Sequence, residues 1–400
     1  MSTDLNKVAD EDLLVEVETW LDQNWDAVNK REVGTDRFDK KTWLTKVLKA
    51  RFAVPTWTED WYGRGLKPGQ ARIIERAFKK RGAPGTGQDR FHLGAVTVYR
   101  LGSDDLKAEL LSRLLTGESN CLLYSEPGAG SDLAGVRTRA DRDGDDYIIN
   151  GQKVWTSNAA ESTFGMLLAR TDWDAPKHKG ISFFIFPMKQ DGVEIRPINQ
   201  ITGESEFNEI FISNARVPAR YFIGDLNGGW ATLQTALAYE RLIMGEGAAE
   251  RRRPSDRTAR PALLEFAARN GKLSDPLVRQ KVAQALAFRQ LNTLNLQRAK
   301  TEILANGSSS LMSLGKLSMS RIQHGEARIM AEILGSASLL DGDDHPDSEM
   351  TNFNAAKAYM NSIGGGTDQI QRNIIAERIL GLPREIEVDR DIPFRDAKSG

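Results

Sequence analysis

The stretch that decides the fold spans residues 122–138 and reads LLYSEPGAGSDLAGVRT. Pro127 and the glycines around it allow a tight, irregular backbone, because glycine accepts conformations that other residues avoid. Ser125 and Ser131 supply hydroxyl groups, and such a loop leaves backbone N–H groups uncovered. A loop of this composition can approach a large flat ligand closely. An ordinary turn rich in glycine and proline explains the letters EPGAG equally well.

The next segment, GQKVWTS at residues 151–157, favours the ligand-binding interpretation. Trp155 offers an aromatic wall, and Thr156 and Ser157 offer two further hydroxyls. Asn150 and Gly151 separate the short apolar runs YIIN and QKVWTS. Because both residues tolerate positive φ, this pair predicts a hairpin with a type I′ turn.

On either side of this segment, the spacing of apolar residues divides the chain into three regions. Short apolar runs separated by turn signals continue to about residue 225 and predict a small β domain, a sandwich or barrel. Helical periodicity precedes and follows it, without the alternation of strands and helices typical of a doubly wound sheet. The sequence therefore predicts a mainly α protein with a central β domain: an N-terminal helical domain (1–118), the β domain (119–227) and a C-terminal helical bundle (228–400).

The outer blocks show amphipathic helical spacing. Apolar residues recur at Leu13, Val17 and Leu21 in the first block, which stops at Gly117. In the last block the helical period holds until Gly381 and Pro383.

Composition excludes several classes of function. The 400 residues hold 54 Lys plus Arg and 55 Asp plus Glu, a net charge of -1, so no net field collects nucleic acid or anionic lipid. Cys121 is the only cysteine, which excludes an internal disulfide and a thiolate cluster, and the four scattered histidines predict no metal site. An acidic N-terminus without a signal peptide or membrane span predicts a cytoplasmic protein.

A second candidate site lies in SIGGGTDQIQR near the C-terminus. Gly364, Gly365 and Gly366 lead directly into Thr367, a good N-cap for a helix. Helix N-termini favour anions and developing negative charge, so a ligand oxygen could lie against these N–H groups. A flexible turn between helices is the alternative.

The third candidate is a single carboxylate, Glu240. Helical steps join Leu233, Leu237, Glu240 and Met244, which puts the acid on an apolar stripe. Burial would raise the pKa of such a group toward neutrality, as a general base requires. An ion pair with Arg241 is the structural alternative.

Four motifs in this order resemble those of the acyl-CoA dehydrogenase family: EPGAGSD, NGQKVWTS, ITGESEFNEIFISNARVP and GGGTDQIQR. The resemblance covers nearly the whole chain. It implies an oxidoreductase with an N-terminal helical domain, a central β domain and a C-terminal four-helix bundle, with FAD between the last two. It also implies an acyl-CoA substrate, from which a carboxylate removes the α-proton while the β-hydrogen leaves as hydride to flavin N5.

The resemblance also implies roles for individual residues. Ser131 corresponds to a residue near the pantetheine and phosphate part of CoA, and Arg241 and Gly365 belong to the implied substrate site. The implied cofactor-binding residues are Leu122, Tyr124, Ser125, Gly130, Ser131, Trp155, Thr156, Ser157, Thr367 and Gln369.

The position of the base departs from the commonest family pattern. The usual position corresponds to Gly365, which has no acid, whereas a minority of the family places a Glu directly before an Arg on the first helix of the C-terminal domain. That position is Glu240, followed by Arg241. The resemblance and the helical spacing together favour Glu240 as the catalytic base. The Gly365 N–H would then help to hold the thioester oxygen, and its missing side chain favours a bulky, branched or long acyl group.

The motifs on the adenine side of FAD also depart from the pattern. Only Arg269 and Gly271 remain of an R-x-x-F-G sequence, and EILGS replaces Q-x-L-G-G, with Glu332 and Ser336 at the changed positions. We expect a homo-oligomer, dimer or tetramer, or an α2β2 heterotetramer, with electron-transferring flavoprotein as electron acceptor. Alternatives are a monooxygenase or carrier-protein thioester oxidase of the same fold, or the scaffold subunit of a heteromeric dehydrogenase.

Overall fold

The computed structural model describes residues 10–35, 37–237, 239, 261–306, 309 and 311–397. Their packing divides into two compact units. The first comprises the described parts of Met1–Ile198, Ser205–Ile243 and Val388–Gly400, and the second those of Asn199–Glu204 and Met244–Glu387. The domain boundaries expected after residues 118 and 227 remain predictions. None of the described helices has both the length and the apolar character needed to cross a bilayer.

Helices open the first unit, as the periodicity predicts. They are α1 (Asp10–Asn24), α2 (Ala27–Glu32), α3 (Lys40–Lys49), α4 (Pro68–Arg81), α5 (Gln88–Phe91), α6 (Leu93–Leu101) and α7 (Asp104–Leu115). Local signals set their ends: the Ser103 hydroxyl caps α7 by accepting from the Leu106 N–H, and Gly117 beyond its end has a φ of 118°. The α1 side chains Leu13, Val17 and Leu21 are fully buried in the core.

The β region of the first unit forms a sheet of eight strands. They are β1 (Asn120–Leu123), β2 (Arg139–Asp143), β3 (Asp146–Ser157), β4 (Phe164–Arg170), β5 (Ile181–Pro187), β6 (Val193–Pro197), β7 (Phe207–Pro218) and β8 (Phe222–Ile223). The strand order is β6-β7-β3-β2-β4-β5-β8, and β1 pairs with β4 in parallel. Every residue of β4 is buried, so this strand lies in the core of the sheet. A further helix, α8, covers residues 229–237.

The hairpin predicted at Asn150 and Gly151 is wrong. Both residues lie inside β3, which runs unbroken from Asp146 to Ser157. The turn lies earlier, at Gly144 with a φ of 60°, where β2 and β3 meet. Asn150 and Gly151 instead form an irregularity in the pairing with β7, where the Asn150 Oδ1 accepts from the Asn214 N–H. The local turn propensity is outweighed by pairing on both edges of β3.

The second unit is helical: α9 (Ala262–Arg269), α10 (Pro276–Asn306), α11 (Leu311–Leu334), α12 (Pro346–Ile363) and α13 (Asp368–Arg378). Its described core joins Phe266 of α9 and Val282 of α10 to Ile333 of α11. Gly381, with a φ of 68°, follows the end of α13 as the sequence predicts.

The last described residues return to the first unit. The Phe394 N–H donates to the Ala175 carbonyl at 3.0 Å, and the Arg395 N–H donates to the Trp173 carbonyl at 3.0 Å. Pro176 and Pro393 form an isolated bridge between the same two segments. The C-terminal residues thus add to the β region that residues 120–223 build.

The single thiol of the chain provides a test of this packing. Burial raises the pKa of Cys121 to about 11, so only about 0.1% of the thiol is ionised at pH 8. We expect native protein at pH 8 to react with Ellman's reagent at a small fraction of the rate of protein unfolded in guanidinium, where the thiol is exposed with an ordinary pKa. Equal rates in native and unfolded protein would contradict the burial of β1.

Candidate functional site

The loop of residues 122–138 begins on β1 and turns sharply at Pro127 and Gly128. Glu126 and Ala129 exchange backbone hydrogen bonds of 3.1 and 3.0 Å across this turn. The Ser125 carbonyl accepts from the Val154 N–H at 3.0 Å, which ties the loop to β3. The loop is therefore bound to β3 as well as being continuous with β1.

A buried ion pair anchors the first half of the loop. The Lys153 side chain is fully buried, and its Nζ donates to the Glu126 Oε1 at 2.8 Å and to the Tyr124 carbonyl at 3.1 Å. The N–H groups of Arg137 and Thr138 donate to the same carboxylate at 2.6 and 2.9 Å. One carboxylate thus joins the start of the loop, its end and β3.

The surroundings of Glu126 shift its pKa in opposite directions. Burial alone would raise the pKa of the carboxyl group, but the Lys153 ammonium and the hydrogen bonds donated by Thr138 and Arg137 outweigh burial. The pKa of Glu126 therefore lies below its usual 4.5, and the group is ionised at neutral pH.

A second buried cation anchors the far end of the loop. Arg170, at the end of β4, is fully buried and donates to the carbonyls of Ala134 at 2.6 Å and Val136 at 3.2 Å. Burial lowers the pKa of its guanidinium to about 10, which leaves it charged at neutral pH. The nearby Lys177 reaches the carboxylate of Asp132 at 3.3 Å.

The apex between these anchors is open. Gly128, Gly130 and Ser131 are exposed, and a Cβ built on either glycine would meet nothing within 4 Å. Neither glycine has positive φ, so neither the backbone conformation nor the packing of the described chain explains why glycine stands there. Close approach of a ligand to the backbone does explain it.

Trp155 projects beside this loop from a strained backbone. Its φ is 63°, at a register shift between Lys153 and Thr156, and its side chain is 60% exposed. Positive φ costs a bulky residue about 1–2 kcal/mol. The indole at this irregularity is exposed to solvent, and its ring lies nearly perpendicular to the ring of Phe207, with centroids 6.2 Å apart.

The remaining predicted residues near the loop are placed differently. The Thr156 hydroxyl is buried and donates to the Leu122 carbonyl at 3.1 Å, so it fastens β3 to β1. Tyr124 is buried against Phe183, whereas Leu122 and Ser125 are partly buried and Ser157 is exposed. The predicted residues of 122–131 and 155–157 do come together on one part of the sheet.

The glycine run of the second unit is followed by the predicted helix start. The Thr367 Oγ1 accepts from the Ile370 N–H at 3.2 Å, so Thr367 is the N-cap of α13, and Gln369 in its first turn is exposed. Gly365 and Gly366 have φ of 65° and 86°. An acidic residue at position 365 would be strained in this conformation, which gives a physical reason for the missing carboxylate. The turn alone also explains these glycines.

The predicted base, Glu240, and its neighbour Arg241 lie outside the described residues. Among the described residues before them, Leu233 is fully buried and Leu237 is partly buried on α8. The role of Glu240 remains a prediction.

Sequence reasoning missed Lys153, Arg170 and Lys177 as the supports of the loop. A signal existed for two of them. Lys153 lies four residues after the buried Ile149 in β3, so the alternation of a strand places it on the same buried face. Arg170 is the last residue of the fully buried run FGMLLAR. A charged residue on a buried face requires a partner.

The residues at the altered adenine-side motifs form ion pairs within the chain. Arg269 donates from its Nε to both carboxylate oxygens of Asp347, at 3.0 and 3.1 Å. Glu332 pairs with Lys281 of α10.

Comparison with known proteins identifies the two larger parts of the chain. Residues 121–215 match the acyl-CoA dehydrogenase middle domain, and residues 227–380 match the acyl-CoA dehydrogenase C-terminal domain. The acyl-CoA dehydrogenase IpdE1 of Mycobacterium tuberculosis is 34% identical over 87% of this chain and 89% of its own length.

Two solved structures are also similar to this chain over nearly its whole length. A structure described as the Tcur3481-Tcur3483 steroid ACAD is 26% identical, with a TM-score of 0.68, over 96% of this chain and 100% of that one. The ChsE4-ChsE5 complex from Mycobacterium tuberculosis is 25% identical, with a TM-score of 0.64, over 94% of this chain and 98% of that one.

The ion pair under the loop can be tested by removing its cation. Lys153→Met leaves the Glu126 carboxylate buried without its counter-ion, which costs about 3–5 kcal/mol of unfolding free energy. We expect this loss in urea unfolding of the holoenzyme followed by far-ultraviolet circular dichroism. The exposed Lys189→Met is the matched control and should stay within about 0.5 kcal/mol of the unaltered protein.

The double variant Lys153→Met/Glu126→Gln removes both charges and should recover part of the loss. A Lys153→Met variant as stable as the control would contradict the anchoring role of the pair.

Proposed function

Because this chain belongs to the acyl-CoA dehydrogenase family, we propose that it removes two hydrogens across the α,β bond of a bulky acyl-CoA thioester, with Glu240 as the base. The enzyme is an acyl-CoA dehydrogenase and a flavoprotein with FAD as cofactor. The observation that supports the site assignment is an exposed indole on strained backbone beside a loop anchored at both ends.

The residues of the first unit fit a large planar cofactor. The exposed Trp155 presents a flat apolar face, and the open backbone at Gly128 and Gly130 permits a flat ring system to approach closely. Leu122, Ser125 and Ser157 supply a partly apolar, partly polar lining beside them. When bound, FAD supplies the acceptor for the hydride that leaves the β-carbon.

We assign the proton transfer to Glu240. The acidity of an α-proton next to a thioester rises when the carbonyl oxygen is held by hydrogen-bond donors, and the Gly365 N–H precedes a helix N-terminus, where negative charge is favoured. Glu240 takes the α-proton, Arg241 contributes to binding the substrate, and Ser131 contributes to binding the pantetheine and phosphate part of its CoA. Electron-transferring flavoprotein is the proposed electron acceptor, and the cytoplasm is the proposed compartment.

The proposed substrate carries a bulky, branched or polycyclic acyl group. In the proposed site Gly365 leaves no side chain beside the reacting carbons, and a Cβ built at this glycine meets nothing within 4 Å. One of the similar solved structures is described as a steroid ACAD. Both observations favour an acyl group wider than a short linear chain.

The base is tested by Glu240→Gln, which keeps the size of the side chain but cannot accept the proton. We expect yellow, folded protein whose flavin is bleached by acyl-CoA about 10²–10⁴-fold more slowly, measured anaerobically by stopped-flow absorbance. Glu246→Gln, at the next acidic residue along the chain, is the control and should bleach at the unaltered rate.

The same assay, run with linear, branched and steroid thioesters, tests the substrate class. Fastest bleaching by the polycyclic or branched thioesters is the expected result. Undiminished bleaching in Glu240→Gln would remove Glu240 from the role of base, and a clear preference for short linear thioesters would overturn the proposed substrate class.

A second candidate function is that of one subunit in a heteromeric dehydrogenase. The ion pairs that Arg269 and Glu332 form within the chain favour it. Arg269 pairs with Asp347 and Glu332 pairs with Lys281, so these side chains are engaged within their own chain. One similar solved structure is described as a two-component complex.

The visible spectrum and mass of the separately expressed chain test this candidate. Folded but colourless protein that gains flavin only with an unlike partner would favour it. Yellow homo-oligomers with one FAD per chain would reject it.

A further inference from the structure

The C-terminal residues contact the supports of the 122–138 loop. The ring of Phe394 is 3% exposed, and the guanidinium carbon of Arg170 lies 3.5 Å from its centroid. The guanidinium of Arg137 lies 5.1 Å from the same centroid, and Trp173 packs against the ring with centroids 5.5 Å apart. Phe394 thus covers the cation that binds the loop.

A second contact runs parallel to the first. The Asp389 carboxylate lies 3.5 Å from the Nζ of Lys177, which also reaches Asp132 of the loop at 3.3 Å. The Lys177 carbonyl in turn accepts from the Arg170 guanidinium at 2.9 Å. Two side chains of the C-terminal residues therefore reach the loop, each through one buried cation.

We propose that residues 389–397, the C-terminal strap, position residues 132–136 of the loop through Arg170 and Lys177, and thereby set how tightly the enzyme binds the CoA part of its substrate. The second half of this statement rests on the proposed function, which assigns Ser131 of the same loop to the pantetheine and phosphate part of CoA. Phe394 and Asp389 are positioning residues, because they act through the two cations.

The physical reason lies in how Arg170 is held. Its guanidinium binds the carbonyls of Ala134 and Val136 in a buried site, where a cation is costly unless its N–H groups are hydrogen-bonded and its charge is compensated. The Phe394 ring covers one face by a cation–π contact, which is strongest when desolvated. Without the ring, water reaches the guanidinium and competes with the loop carbonyls for its N–H groups.

The strap is tested in the holoenzyme by Phe394→Ala and by Asp389→Asn. Hydrogen exchange is measured by mass spectrometry on peptides that cover residues 128–138 and, for comparison, strand β7. Binding of free coenzyme A is measured by titration calorimetry. Phe394→Tyr keeps an aromatic face. Arg395→Ala, in the same strap, removes only a side chain that pairs with the exposed Asp174 of the loop between β4 and β5.

We expect Phe394→Ala to speed exchange in the loop peptide but not in β7, and to weaken coenzyme A binding about tenfold, the equivalent of one lost cation–π contact. Asp389→Asn should weaken it about threefold, and Phe394→Tyr and Arg395→Ala should match the unaltered enzyme.

Unchanged hydrogen exchange in the loop of folded Phe394→Ala would overturn the proposal that the strap positions the loop. If Phe394→Ala does not fold, the same result in Asp389→Asn would overturn it. Faster loop exchange with unchanged coenzyme A binding would overturn the link between the strap and the substrate, and with it the assignment of this loop to the CoA part of the substrate. Failure of the proposed dehydrogenation appears separately, as absence of flavin bleaching by every thioester in the unaltered enzyme.

Discussion

The pairing of Lys153 with Glu126 is the contact on which the candidate site depends. Moving an ammonium and a carboxylate out of water costs several kcal/mol each, and the arrangement is tolerated only when every donor and lone pair finds a partner. Here the partners are backbone groups at both ends of one loop, namely the Tyr124 carbonyl and the N–H groups of Arg137 and Thr138. Satisfying the charges therefore fixes the path of the loop.

This arrangement explains how a loop rich in glycine can be ordered and still present an open backbone. Ordering the glycines loses conformational entropy. The contacts of Glu126 and Arg170 at the two ends of the loop offset this loss, and contacts at the apex do not. Between these anchors Gly128, Gly130 and Ser131 stay exposed, while Ala129 is buried in the core. Trp155 is likewise held from both sides. The buried residues Lys153 and Thr156 that flank it keep its strained backbone in place.

Much of this could be read from the sequence. The helical periodicity predicts the buried face of α1, the short apolar runs predict the β region, and the cap at Thr367 is found as expected. The hairpin at Asn150 and Gly151 was wrong because strand pairing on both edges of β3 outweighs a local turn preference. The supports of the loop were missed because Glu126 and Lys153 are 27 positions apart and Arg170 binds backbone carbonyls, for which no residue type is diagnostic. The order of residues along the chain indicates which face of a strand or helix is buried. It does not indicate which buried charged side chains contact each other.

The C-terminal strap also has a consequence for how the protein is made. A ribosome delivers residue 223, the end of the last strand, long before residue 394. Domains generally fold in the order in which they emerge, yet the aromatic ring that covers Arg170 emerges only after all the strands of this sheet. A nascent chain therefore passes through a stage in which all eight strands are present but Arg170 lacks the ring that covers it, and the loop can take its finished geometry only after residue 394 has emerged.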